Sequence, residues 1–420
     1  MLATALPPPH HRARRLAPAL LLAGLALLLL GLPGAIPQPA WATGNGAARR
    51  CPPAGTTIIA DVPWPQQRYD LSALSQITDG AGVTVAVVDS GVDATHPQLA
   101  GAVVAGVDRL DPAGDGRRDC VGHGTAVASV IAARPARDVA MRGLAPAAAI
   151  LPIRVSERIQ TEEGPTGAGD LGDLAAGIRA ATRRIPRPAV INVSLSTVGD
   201  HPALRSAVAE AIAADVVVVA SVGSADQRGG AGSTGTGGDP VPYPAAYDGV
   251  VGVGAIGADG TRTGTTRVGS YVDLVAPGDA IVAAAPRRGH QLVGGTSFAT
   301  PFVAATAALI RARWPELTAS EVVRRLLATA DPAPGARPSP AYGWGVLNPM
   351  RALTEVMGTA RVGATPTPLA GGRAMPASRP GPAGGAVRVA AALAVAAAVV
   401  AAVAVCVPYG RRRRWRPGDP

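Results

Sequence analysis

The sequence contains no lysine: all 39 of its basic residues are arginine, set against 29 Asp and Glu. Aromatic residues make up only 3% of the chain, and there are three cysteines. The formal charge of +10 is therefore less telling than it looks. Arg12, Arg14 and Arg15 lie near the start, and Arg411, Arg412, Arg413, Arg414 and Arg416 near the end. Without these eight and Asp419, 31 arginines face 28 acids, a balance of +3 over the middle. No basic stripe with interleaved aromatics occurs there, which argues against nucleic acid as a partner. Of the cysteines, Cys406 sits in an apolar tail, while Cys51 and Cys120 flank the central region. If that region is exported they can form one disulfide; otherwise they are two free thiols. The length, 420 residues, has room for two or three ordinary domains, although α/β domains run long.

Residues 1–42 read as a secretory leader. His10, His11, Arg12, Arg14 and Arg15 give a basic start, 16–32 is apolar, and Ala40-Trp41-Ala42 fits a small-x-small cleavage site. The apolar run is slightly long, so an uncleaved anchor is the alternative. Residues 43–82 are polar and proline-containing, with too few periodic apolar positions for their own core. They read as an extension wrapped on the next domain, with Trp64, Tyr69 and Leu71 as packing candidates. Residues 358–386, rich in Pro, Gly and Ala, read as a linker. A C-terminal transmembrane helix is expected at 387–408, where 389–407 is 19 residues without a charge, at about 1.5 Å per residue just enough to span a hydrocarbon core. The tail 409–420 is basic, which predicts a cytoplasmic C-terminus and an extracytoplasmic middle. A soluble Ala-rich helix is the alternative for that segment.

Between 83 and 357 short β-branched runs alternate with helical patterns. Strands are expected over 83–88, 148–155, 189–196, 215–222, 250–256 and 272–276. Helices are expected over 126–133, 171–184, 201–214 and 302–310, with a further one capped by Thr318 or Ser320. Residues 157–172 read as an exposed loop. The alternation predicts an α/β fold, mainly a parallel central sheet with helices on both faces.

Three stretches carry candidate chemistry. Asp89-Ser90-Gly91-Val92-Asp93 closes the first strand, where open α/β sheets place their sites, although Asp and Gly also make ordinary turns. Gly122-His123-Gly124-Thr125 opens a small-residue helix, and glycine on both sides of His123 suggests crowding. Gly294-Gly295-Thr296-Ser297-Phe298-Ala299-Thr300-Pro301 precedes a long apolar run, placing Ser297 in the first turn of a buried helix. Backbone N–H groups and the positive end of the helix dipole favour an oxyanion there.

Taken in order, with His96-Pro97 between the first two, these stretches resemble the subtilisin-like serine proteases, the subtilases. Asp, His, Ser is the subtilisin order, and the spacings are 34 and 174 residues. The resemblance covers roughly 83–350 and implies a subtilisin-like fold, protein or peptide substrates and no metal or other cofactor. It implies that Ser297 attacks the scissile carbonyl, that His123 takes and returns the proton, and that Asp89 orients the imidazole. It further implies that Ser194, Leu195 and Ser196, with Ala220, Ser221, Val222 and Gly223, line the substrate cleft. Ser196 stands where the family often has Gly, which narrows the pocket mouth. Ser224 stands where subtilases have the oxyanion-hole Asn, which implies a weakened protease.

The order of segments is similar to that of the mycosins, membrane-anchored subtilases of type VII (ESX) secretion systems. Leader, Cys-bearing extension, catalytic domain, linker, single span and basic tail all correspond. That likeness implies a disulfide between Cys51 and Cys120, an extension that wraps the domain without blocking the site, and partners among the type VII membrane components. About 40 residues separate Ala42 from the first strand, too few for a folded prodomain.

Overall fold

The structure, a computed structural model, describes residues 51, 55–157, 159–161, 164–166, 169–223 and 241–357. The expected leader, linker, transmembrane helix and tail, and with them Ser224, lie outside the described residues. Among the described residues no helix is long and apolar enough to cross a membrane.

In chain order the elements are helices α1 (Trp64–Tyr69) and α2 (Leu71–Ile77), strands β1 (Thr84–Asp89) and β2 (Val107–Asp108), helix α3 (His123–Ala132) and strand β3 (Ala149–Arg154). There follow strands β4 (Ile159–Thr161) and β5 (Gly164–Thr166), helix α4 (Leu171–Thr182), strands β6 (Val190–Val193) and β7 (Thr197–Val198) and helix α5 (Pro202–Ala213). Strands β8 (Val217–Ser221), β9 (Pro242–Tyr243), β10 (Val250–Ile256), β11 (Leu274–Pro277), β12 (Ile281–Ala284) and β13 (His290–Val293) come next, then helices α6 (Thr296–Arg313), α7 (Ala319–Ala328) and α8 (Pro349–Thr354).

The sheet of seven parallel strands runs β11-β10-β8-β6-β1-β3-β2. Its strands read as continuous β-branched runs because both faces are covered. In β1, Val85 and Val87 pack with Val127 and Ile131 of α3 and Val303 of α6, while Ala86 and Val88 pack on the other face with Ile178 of α4 and Val208 of α5. The expected parallel sheet with helices on both faces is thus present. Helix α6 is buried from Phe298 to Arg311. Its threonines satisfy themselves one turn back: Thr300 Oγ1 donates to Thr296 O at 2.8 Å and Thr306 Oγ1 to Phe302 O at 2.8 Å. Thr318, rather than Ser320, caps α7, in a reciprocal box with Glu321.

One reading of the sequence needs amendment: the segment 157–172, expected as a loop, holds the antiparallel pair β4 and β5. The extension, read as wrapped on the next domain, also folds α1 and α2. Asp70, at φ 43°, turns the chain between them and caps α2 by accepting from Ala73 N at 3.1 Å. Tyr69, Leu71 and Leu74 are buried in the core of the domain, and the Tyr69 ring meets Phe302 of α6 edge-on at 6.0 Å.

Upstream of α1 the extension is held by a buried histidine pair. His290 N donates to Thr57 O at 2.7 Å, and Ile59 N donates to His290 Nδ1 at 3.1 Å. His290 Nε2 donates in turn to Gln98 Oε1 at 2.8 Å. The Gln98 orientation is fixed because its amide nitrogen donates to Arg134 O and Met141 O. Gln98 N donates to His96 Nδ1 at 3.2 Å, and His96 Nε2 donates to Gly289 O at 3.1 Å. A backbone N–H can only donate, so each Nδ1 must be bare and both rings are neutral Nε2–H tautomers, assigned from their partners.

Burial lowers both pKa values, and at His290 the neighbouring His96 lowers it further. Folded pKa values below the unfolded value of about 6.5 mean that stability is present above it and lost as pH falls below it. We therefore expect the domain to lose thermal stability between pH 7 and 5, with the Ile59 amide among the first to exchange. A His96→Asn/His290→Asn chain should show a shallower decline. An Ile59 amide equally protected at both pH values would contradict this expectation.

Candidate active site

β1, β6 and β8 are adjacent and in register, with Val88 level with Val193 and Val193 level with Ala220. Their C-terminal ends therefore deliver Asp89, Ser194 and Ser221 side by side. Strand β1 is also where the order reverses, since β3 and β2 lie on one side of it and β6, β8, β10 and β11 on the other. Such a switch point opens a crevice at the carboxyl ends of the strands.

Asp89 is fully buried, and its Oδ1 lies 2.8 Å from His123 Nδ1 and accepts Ser90 N at 2.7 Å. A carboxylate only accepts, so Nδ1 carries the proton and Nε2 keeps its lone pair toward the cleft. His123 is the first residue of α3 and retains 27% side-chain exposure, so the ring is reachable. The glycines around it do enforce crowding. A Cβ on Gly124 would lie 2.1 Å from Gly91 O and 3.0 Å from Asp89 Cβ, blocking the approach of α3 to the end of β1. Burial works against a charged His123, but the Asp89 charge, its hydrogen bond and the Asp119 charge outweigh it, and the pKa is raised above the ordinary histidine value. A general base at this position is thus fully neutral only at pH above that of a free imidazole.

Ser297 is the second residue of α6, directly after the Gly295 N-cap and Thr296. Its N–H belongs to the first turn, which has no intrahelical acceptor. Four residues on, Pro301 has no N–H, so the Ser297 carbonyl lacks its normal helical donor. Ser194 fills that place: Ser194 Oγ donates to Ser297 O at 2.7 Å, and Ser297 Oγ donates back to Ser194 O at 2.9 Å. Asn192 Nδ2 donates to Ser194 Oγ at 2.9 Å. This reciprocal lock fastens the start of α6 to the end of β6. The next residue, Phe298, sets its ring 5.1 Å from the His123 ring. The Ser297 hydroxyl therefore rests on the Ser194 carbonyl.

The two expected cleft segments are neighbours. A Cβ on Gly223 would fall 2.6 Å from Ser196 Oγ, so 194–196 and 220–223 meet at that point. Ala220, Ser221 and Val222 are buried, whereas Leu195 is half-buried against the core. Gly223 takes φ 74°, which suits glycine, as the chain turns out of the sheet.

Cys51 and Cys120 form the disulfide that the family resemblance implied. With a sequence separation of 69, closing that loop removes about 4 kcal/mol of unfolded-state entropy in the chain-entropy account. The bond also pins the extension three residues ahead of His123.

One residue escaped the sequence reading. Asp119, beside Cys120, is buried and accepts hydrogen bonds from Ser90, Val121, Gly122 and Thr125. In sequence it follows Arg117 and Arg118 and belongs to none of the three stretches singled out there. The one available signal was its position between the two motifs.

A sequence model of the subtilase family, Peptidase S8, matches residues 80–345. The chain belongs to the subtilase family. It is similar to the mycosins among others. It is 33% identical to Mycosin-1 of Mycobacterium tuberculosis (strain ATCC 25618 / H37Rv) over 366 residues, covering 77% of this chain and 81% of the relative. Among solved structures, a serine protease MycP1 described as an essential component of the type VII (ESX-1) secretion system superposes with a TM-score of 0.62 at 31% identity. That match covers 73% of this chain and 93% of the other. A chain in the structure of an intact ESX-5 inner membrane complex gives a TM-score of 0.65 at 28% identity, over 84% of this subtilase and 94% of that chain.

Proposed function

We propose that this subtilase is a serine endopeptidase of the mycosin type, working within a type VII secretion system. Ser297 is its nucleophile, His123 its general base and acid, and Asp89 the orienting carboxylate. The observation that carries the reading is the 2.8 Å contact between buried Asp89 and exposed-edged His123, with Ser297 at the start of the helix whose Phe298 touches that imidazole. The remaining steps follow from this geometry. Ser297 Oγ leaves Ser194 O, gives its proton to Nε2 and bonds to the scissile carbonyl carbon, while the Ser297 N–H faces the developing oxyanion. His123 then protonates the leaving amine, and a water repeats the sequence to release the acyl group.

Secretion-system partners are supported by the likeness to MycP1 of the ESX-1 system and to a chain of the ESX-5 inner membrane complex. Attachment to the outer face of the cytoplasmic membrane is supported by the charge-free 389–407 followed by four arginines. Digestion of an unfolded protein by the purified full chain, with products identified by mass spectrometry, tests the enzyme. Cleavage lost in Ser297→Ala supports it, and no cleavage by the folded wild type contradicts it.

A second reading, a structural subunit with little proteolysis, is favoured by Ser224 at the oxyanion position. It predicts that Ser297→Ala leaves both assembly and secretion intact in the cell. Secretion lost from an assembled complex excludes it.

A further inference from the structure

We propose that Asp119 is a positioning residue for the Asp89–His123 pair, holding in place from behind the two loops that carry them. The proposal rests on the triad reading above. Asp119 is 3% exposed, and the donors to its carboxylate are Ser90, Val121, Gly122 and Thr125. Its Oδ1 accepts Ser90 Oγ at 2.9 Å, Val121 N at 3.0 Å and Gly122 N at 2.7 Å. Its Oδ2 accepts Thr125 N at 2.8 Å and Thr125 Oγ1 at 2.7 Å. Ser90 adjoins Asp89, and Gly122 and Thr125 bracket His123, so one carboxylate grips both loops.

The hydroxyls give the carboxylate a second task. Because Ser90 Oγ donates to Asp119, its lone pairs are free to accept Gly124 N, at 3.0 Å. Because Thr125 Oγ1 donates to Asp119, it accepts Asp93 N at 2.9 Å. Both further links cross from the loop after β1 to the start of α3, and both depend on hydroxyl orientations that Asp119 sets. Only an acceptor on both oxygens meets five donors. An amide in its place would turn an NH2 toward the Thr125 N–H or toward Val121 and Gly122. Cys120, the next residue, is tied to Cys51, which keeps the turn from lifting away. The charged groups acting on His123 are Asp89 at the end of β1 and Asp119 in this turn, and both favour the imidazolium that forms when Ser297 is deprotonated.

The test measures inactivation of the purified full chain by a serine-reactive phosphonate across pH, resolved into a maximal rate and a binding constant. Asp119→Asn should lower the maximal rate by about 10- to 100-fold, the range expected when a reacting group is misplaced by a fraction of an ångström to one ångström. The binding constant should hold, and the acid limb should move to lower pH because a negative charge acting on His123 is gone. Ser90→Ala keeps that charge but cuts the link to β1, so it should slow inactivation with the acid limb unmoved. Ser90→Ala also decides the matter should Asp119→Asn not fold. Wild-type rate and acid limb in a folded Asp119→Asn chain with its disulfide intact would overturn the proposal, as would a wild-type rate in Ser90→Ala. A folded wild type that the phosphonate never modifies at Ser297 overturns the triad reading itself, a separate and recognisable failure.

Discussion

Ser297→Ala is expected to lower turnover by about six orders of magnitude, the loss seen when the nucleophile or base of such a triad is removed. His123→Ala should cost about as much, and the double variant no more, because nucleophile and base act as one unit. The loss should not come from unfolding. Alanine at 297 forfeits the hydrogen bond from Ser297 Oγ to Ser194 O, a contribution of about 1 kcal/mol. The opposing bond from Ser194 Oγ to the 297 carbonyl survives, since that carbonyl is freed by Pro301 and not by the serine side chain. A domain of this size should therefore melt within about 2–4 °C of the wild type. Turnover and melting temperature measured on the same preparation separate the two effects.

Ser224→Asn is expected to raise turnover by about 10²–10³-fold, the converse of what removing the oxyanion-hole Asn does in a subtilisin. The chain leaves β8 through Val222 and the left-handed Gly223, beside the cleft segment at Ser196. On the proposed assignment, a serine hydroxyl at 224 reaches less far than a carboxamide would, so the oxyanion relies on the Ser297 N–H. The gain should appear in kcat with KM little changed, because the interaction is made with the oxyanion and not with the ground-state carbonyl. Unchanged kcat would mean that another group already serves the oxyanion, and would remove the main support for a purely structural role.

Much of this was legible in the residues because the relevant physics is local. Strand β1 shows as a β-branched run that ends at Asp89. Helix α6 shows as an apolar stretch of helical length with small residues at its start. Gly122 and Gly124 signal crowding around His123 that the sheet then accounts for. The export signal made a Cys51–Cys120 bond possible and family likeness made it the expected one, because pairing depends on how far the extension travels across the fold. Asp119 was illegible for a related reason. A carboxylate after two arginines looks solvated, and only the arrival of Ser90 from β1 and Thr125 from α3 buries it. The histidine pair was hidden likewise, since His96 and His290 meet across 194 residues of sequence through Gln98. The helices of the extension were missed because six and seven residues are too few to show a period.

The most direct measurement is the site of phosphonate attachment on the folded full chain, mapped by peptide mass spectrometry at several pH values. A single adduct on Ser297, absent from Ser297→Ala and forming more slowly as pH falls through the raised pKa of His123, is the expected result. No adduct on Ser297 in folded protein, or equal labelling of Ser297→Ala, would contradict the assignment of Asp89, His123 and Ser297 as a working triad.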